Sequence, residues 1–170
     1  MKTFSQFVLD CSLDESSLSR IKSKHDKGGV AVMSAQRGDK SSKENKARTK
    51  SLDKDIRGKF GKGATKVQGR YTEKDDKTGK ERKVKERSHV ITSGKMGKRK
   101  FKKAVKSLGK KYGQDAVITQ QKGSKDATLK RTRKGGLPKR NIKLGKMKPG
   151  RTGDNDTRIK GKTYTYEARI

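Results

Sequence analysis

Apolar positions are sparse in this chain and gather in short patches of two periods. Val30-Ala31-Val32-Met33-Ser34-Ala35 follows the Gly28-Gly29 pair as a continuous apolar run, the pattern of a buried strand. Ser41-Ser42 with Glu44 and Asn45 carries helix-start chemistry. Ala47, Leu52 and Ile56 continue it as a helical stripe that Gly58, Gly61 and Gly63 should end. Residues 64–71 predict a second strand, with Gly69 marking a bulge or a close backbone approach. A nearly all-charged stretch follows over 73–83, with a turn at Thr78-Gly79, and residues 84–92 read as a third strand closing a hairpin. The clearest periodicity covers residues 98–112. There Phe101, Ala104, Val105, Leu108 and Tyr112 share one helical face, Lys covers the rest, and Gly113 caps the end. Residues 116–119 form a fourth strand, which 127–129 can pair, and residues 163–167 predict an edge strand.

This order predicts an α+β fold: a small split βαβ domain of ferredoxin-like order βαββαβ, extended by C-terminal strands and flanked by flexible basic arms. The chain divides into a leader and linker over 1–27, a small α/β domain over 28–130, and a basic arm over 131–170. No stretch approaches the length and apolarity of a membrane span, and no secretory signal pattern is present.

Charge changes the picture more than any motif. Of 170 residues, 49 are Lys or Arg against 18 Asp or Glu, a formal net charge of +31, while hydrophobic residues make up 26%. Residues 95–113 hold nine basic residues and no acid, and residues 130–151 hold ten and no acid. Acid-free blocks of this kind predict a phosphate-contacting surface. The candidates are Lys100, Lys102, Lys103, Lys106, Lys110 and Lys111 on the helix, then Arg131, Arg133, Lys134, Lys139, Arg140 and Arg151 on the arm. Lys outnumbers Arg 35 to 14, and few aromatics accompany the blocks, so sequence-tolerant backbone contact is expected rather than base stacking.

Other constellations carry less. Gly161-Lys162-Thr163 lacks the upstream Gly and following helix of a phosphate-binding loop. Asp154 and Asp156 lack the remaining ligands of a calcium loop. His89 alternates with apolar neighbours and reads as a half-buried strand histidine with a structural hydrogen bond; His25 lies in the linker, where no role is expected. A lone Cys11 excludes a disulfide framework within the chain. Glu44, Glu86 and Asp115 fall near the ends of three elements and would form an oxygen site for Mg²⁺ if they converged. Separate structural roles are the simpler expectation, and no cofactor is expected.

Two resemblances add to this. Met1-Lys2-Thr3-Phe4-Ser5-Gln6-Phe7-Val8-Leu9-Asp10 resembles the capsid-targeting leaders of internal head proteins of large contractile-tailed phages and cyanophages. Leu13-Asp14-Glu15 then matches a head-protease site, which implies cleavage after Glu15. Residues 29–129 are similar to a small α/β domain family of unknown function found in bacteria and phages. The similarity rests on Val32-Met33-Ser34-Ala35, Glu44-Asn45, Gly69, Glu86-x-Ser88 and the run from Leu108 to Val117; Arg87 stands where that family usually has Pro.

Together these readings predict a phage-type basic protein that binds nucleic acid through phosphates, DNA before RNA. Such a protein would lie in a virion interior or host cytoplasm, with phage scaffold or capsid proteins as further partners. The alternatives are an RNA-binding or ribosome-associated protein and a Mg²⁺-dependent enzyme acting on nucleic acid.

Overall fold

The computed structural model describes residues 18–74, 79–134, 140–150 and 156–166. Among these, helix α1 spans residues 18–27, α2 Ser42–Phe60 and α3 Lys98–Lys111. Nine strands accompany them: β1 Val30–Ser34, β2 Thr65–Lys74, β3 Glu81–Thr92, β4 Ala116–Gln120, β5 Ala127–Arg131, β6 Ile142–Gly145, β7 Met147–Pro149, β8 Asp156–Ile159 and β9 Lys162–Tyr166. They form one sheet in the order β6-β5-β4-β1-β3-β2-β8-β9-β7, every observed pairing being antiparallel. The two strands at the ends of that order are separated in the chain by Lys146 alone. The sheet must therefore curl until its ends meet, giving a nearly closed, barrel-like wall.

This corrects the expected ferredoxin-like domain with flexible arms. The described residues beyond 131 contribute β6 to β9, close to half of the wall, rather than a flexible arm. Its strands are three to five residues long, with single apolar positions set among Lys and Arg. A period-2 signal is invisible at that length, and the strands are held by their ladders and neighbours instead. The expected edge strand, β9, lies between β8 and β7. A two-residue loop joins it to β8, Lys160 and Gly161 both having positive φ (46° and 82°), the backbone of a type I′ hairpin. That hairpin is also the physical reason that Gly161-Lys162-Thr163 is no phosphate loop.

β1 explains the continuous apolar run that opens the domain. Ala31, Met33 and Ala35 face one cluster with Leu52 and Ile56 of α2 and Phe101, Val105, Leu108 and Tyr112 of α3. Val30 and Val32 face the other, with Val67, Val90, Met147, Ile159 and Tyr164. A strand covered on both faces has no polar side to alternate with. Into the second cluster α1 inserts Ile21, which is fully buried. The helix is tied to the wall by His25, whose Nδ1 lies 2.6 Å from the Gln120 amide oxygen.

Local chemistry accounts for the helix ends. Ser41 accepts from the Glu44 N–H and the Glu44 carboxylate accepts from the Ser41 N–H, a complete capping box. Gly58 does not stop α2; the helix runs on to Phe60 so that its ring meets Phe101 edge to face at 5.6 Å, and Gly61 ends it. Gly69 forms no bulge and pairs in register with Glu86. Gly109 lets α3 approach the chain after β5 closely, since a Cβ there would meet the Thr132 methyl at 2.6 Å.

Both histidines are buried, and His25, expected to lie in the linker without a role, sits in α1 and bonds Gln120. Among the described residues His89 has no hydrogen-bond partner at either ring nitrogen, against the expected structural hydrogen bond; its Nε2 lies 3.5 Å from Asp53 Oδ1. Burial holds both imidazoles below the ordinary histidine value of 6.5, so the folded chain keeps them neutral. The unfolded chain takes up those protons first. Stability is therefore complete above about pH 6.5 and falls as the pH drops below it. Urea midpoints are expected to hold above about pH 6.5 and to decline as the pH falls below it. Substituting His89→Asn should flatten that decline, and an unchanged slope in the variant would remove His89 from the account.

Candidate functional site

Residues far apart in the chain meet at one end of the inner face. Alternation places Glu86 and Ser88 on the same side of β3 as Val90, and Ser34 on the same side of β1 as Val32. Register then sets Ser34 opposite Ser88, Gly69 opposite Glu86, and Thr157 of β8 opposite Gly69. The inner face thus divides in two. One half is apolar and filled by α1; the other presents Ser34, Ser88, Glu86 and Thr157 around a glycine. Glu86 is half-buried there. A Cβ at Gly69 would touch Glu86 O and Ser88 Oγ only at 3.7 Å, ordinary contact distance. The glycine is not demanded by packing within the chain.

The loop that follows Ser34 is braced from three sides. Ser34 Oγ donates to the Arg87 carbonyl at 2.9 Å and accepts from the Gln36 N–H at 3.0 Å, and the Gln36 side-chain oxygen accepts from the Arg87 N–H at 2.9 Å. From α2, Asn45 accepts from the Arg37 N–H at 2.9 Å and donates to the Arg37 and Lys40 carbonyls at 3.0 and 3.1 Å. Arg48 donates to the Ala35 carbonyl at 2.7 Å, and Gln114 donates to the Gln36 carbonyl at 2.9 Å. The separated motif residues Ser34, Asn45 and Gln114, with the backbone of Arg87 between Glu86 and Ser88, therefore meet around one loop. Losing three hydrogen bonds, Asn45→Ala should cost about 2 kcal/mol of stability and slow any reaction at this site. A chemical melt checks the first expectation; a melt indistinguishable from wild type would refute the bracing role.

The basic candidates lie elsewhere. Lys102, Lys106 and Lys110 of α3 line a groove of about 710 Å³ with Arg131, Arg133, Lys134 and Arg140. Lys100 and Lys103 are exposed but do not line it, and Lys111 turns away to pair with Asp55 at 2.7 Å. Arg133 pairs with Asp115. Lys139, Arg151 and the Glu15 processing site fall outside the described residues. The three carboxylates weighed for Mg²⁺ stay apart: Glu44 caps α2, Asp115 holds Arg133, and Glu86 lies in β3. Among the described residues no group of three or more His, Cys, Asp or Glu side chains could hold a metal ion. Charge density drew attention to the groove; Glu86 was weighed only as a metal ligand with Glu44 and Asp115, and its grouping with Ser34, Ser88 and Thr157 was not read, because it is built from singly placed polar residues. Its available signal was the alternation Glu86-x-Ser88-x-Val90 together with a glycine opposite.

Fold and site together define a small curled-sheet α+β protein with a carboxylate-bearing polar end on its inner face. The model of the S-adenosylmethionine lyase family matches residues 31–169, and the chain belongs to that family. Comparison with curated proteins finds no matching relative. The family match overturns the expectation of a DNA-associated basic protein of phage heads, since it points to an enzyme. It agrees with membership of a small α/β family at the coarse level and carries no link to phage heads. No described helix is long and apolar enough to cross a membrane.

Proposed function

We propose that the protein cleaves S-adenosylmethionine without water, at the bond between sulfur and the amino-acid arm. The observation that supports this reading most is the family match over residues 31–169. The chemistry narrows the bond. A sulfonium has three carbon–sulfur bonds, and the methyl group offers neither a β-hydrogen nor an internal nucleophile. The amino-acid arm carries its own carboxylate at the distance that closes a five-membered ring. A carboxylate oxygen attacks Cγ, the carbon–sulfur bond breaks, and its electron pair returns to sulfur. The products are homoserine lactone and methylthioadenosine, and no proton has to move.

Such a reaction asks the protein for conformation rather than acid–base chemistry. The arm must be folded so that oxygen, Cγ and sulfur are in line, which is worth a large part of the barrier. Two opposite charges disappear on the way, so a poorly hydrated surrounding favours the transition state over the substrate. The half-buried Glu86 accepts hydrogen bonds from the arm's ammonium, a charge that persists throughout and so serves as a handle. Ser34 and Ser88 flank that handle, and Val32, Val67 and Val90 continue the same face as an apolar wall. Gly69 leaves room for the arm.

Incubation of the purified full chain with S-adenosylmethionine is expected to release methylthioadenosine, measured by chromatography, well above the uncatalysed rate. Folded protein that releases none would overturn the reading.

A further inference from the structure

The N-terminus of α3 conflicts with its surroundings in a way that α2 does not. Gly97 caps it without a side-chain hydrogen bond, and no acidic residue occupies its first turn; Lys98, Arg99 and Lys100 are there instead. Cations at the positive end of a helix dipole are unfavourable, and the N–H groups of 98–100 have no helical acceptor. Phe101 N–H is the first to bond within the helix, to Gly97 O at 3.0 Å.

An independent feature faces the same place. A cavity of about 270 Å³ opens there between α3, β4 and the start of β1. Met96 and Phe101 supply apolar wall, Arg99, Lys102 and Lys122 supply charge, and Ser93 supplies a hydroxyl. Ser93 is only 9% exposed, and its hydroxyl has no hydrogen-bond partner among the described residues. It lies over Gly29, where a Cβ would meet Ser93 Oγ at 2.3 Å. Only a glycine there, with φ of +71°, lets Ser93 pack this closely against the backbone.

We propose that this cavity is a phosphate site for a nucleotide-class phosphomonoester, separate from the Glu86 end. The phosphate would cap the free N–H groups of α3 and accept from Ser93 and Arg99. The organic part would lie against Met96 and Phe101. A helix N-terminus backed by cations favours a dianion over a carboxylate. The site adjoins Gly29 and Ser93, whereas the Glu86 end adjoins Ser34, so the five residues of β1 stand between them, about 15 Å of strand.

The test uses the full chain, with AMP as probe and adenosine and inorganic phosphate as comparisons, in titration calorimetry at fixed salt. AMP is expected to bind, adenosine not, and inorganic phosphate more weakly than AMP. Arg99→Glu and Ser93→Ala should each weaken AMP at least tenfold. Lys110→Glu, the same charge change in the basic groove outside the cavity, should leave AMP binding within twofold. Equal weakening by Lys110→Glu would reduce the effect to the chain's overall charge and overturn the proposal. So would undetectable AMP binding, adenosine binding as well as AMP, or displacement of AMP by S-adenosylmethionine, which would make this the substrate pocket. Because the site is separate, its failure leaves the lyase reading intact, and the reverse holds.

Discussion

Glu86→Gln should lower S-adenosylmethionine cleavage by about 100-fold while leaving the thermal midpoint within a few degrees of wild type. The magnitude follows from the bond lost. A charge-assisted hydrogen bond to an ammonium contributes about 1.5–3 kcal/mol, and each 1.4 kcal/mol is a factor of ten in rate. The substitution keeps shape and size, so Gly69 and Ser88 still have their neighbour. Glu86→Asp retains the charge on a shorter stem and should recover part of the rate. The split between parameters is informative: an arm held in the reactive fold only near the transition state loses kcat, whereas uniform binding loses KM alone. A Glu86→Gln enzyme with wild-type kcat and KM would remove this carboxylate from the site.

The second large effect concerns stability. Asp156 on β8 is fully buried at its side chain, and Arg70 on β2 grips it with two nitrogens, Nε to Oδ1 at 2.7 Å and a second bond to Oδ2. The pair faces outward from the barrel and fastens β8, and through it β9 and β7, to the rest of the sheet. Hydrogen bonding to Asp156 holds the guanidinium firmly charged. Removing the carboxylate loses both charge-assisted bonds, although Arg70 is exposed enough to be solvated, so Asp156→Ala should lower the thermal midpoint by several degrees. Replacing both partners at once, Arg70→Met with Asp156→Leu, should recover much of that loss. A calorimetric scan of the three variants decides it; an Asp156→Ala midpoint equal to wild type would contradict the fastening role.

The legible parts of the fold are those where apolar pattern outweighs charge. β1 and α3 could be placed from the run Val30–Ala35 and the stripe Phe101–Tyr112, because β1 buries residues in both clusters and the α3 stripe packs as one face into the first. The wall from β6 to β9 could not. Ile142, Met147, Ile159 and Tyr164 are isolated apolar positions in a basic segment, and only pairing with distant strands gives them a face. α1 was hidden for a similar reason: Ile21 and His25 are four residues apart in a charged setting, and their burial depends on a sheet that the local sequence does not announce. For the site, charge directed the reading to the basic groove. Ten cations within 22 residues stand out in the sequence, whereas Glu86 is a single acid between Lys85 and Arg87 whose neighbours are set by register with Gly69. Asn45 and Gln114, by contrast, stood among the motif residues before their joint hold on the loop after Ser34 was visible.

The central claim is that the substrate's own carboxylate, not water, displaces the sulfur. Running the reaction in oxygen-18-labelled water and fragmenting the homoserine that the lactone later yields tests it directly. Internal attack predicts label in the carboxyl group only, with the side-chain hydroxyl oxygen unlabelled. Label in the side-chain hydroxyl would mean that water attacked Cγ and would contradict the account.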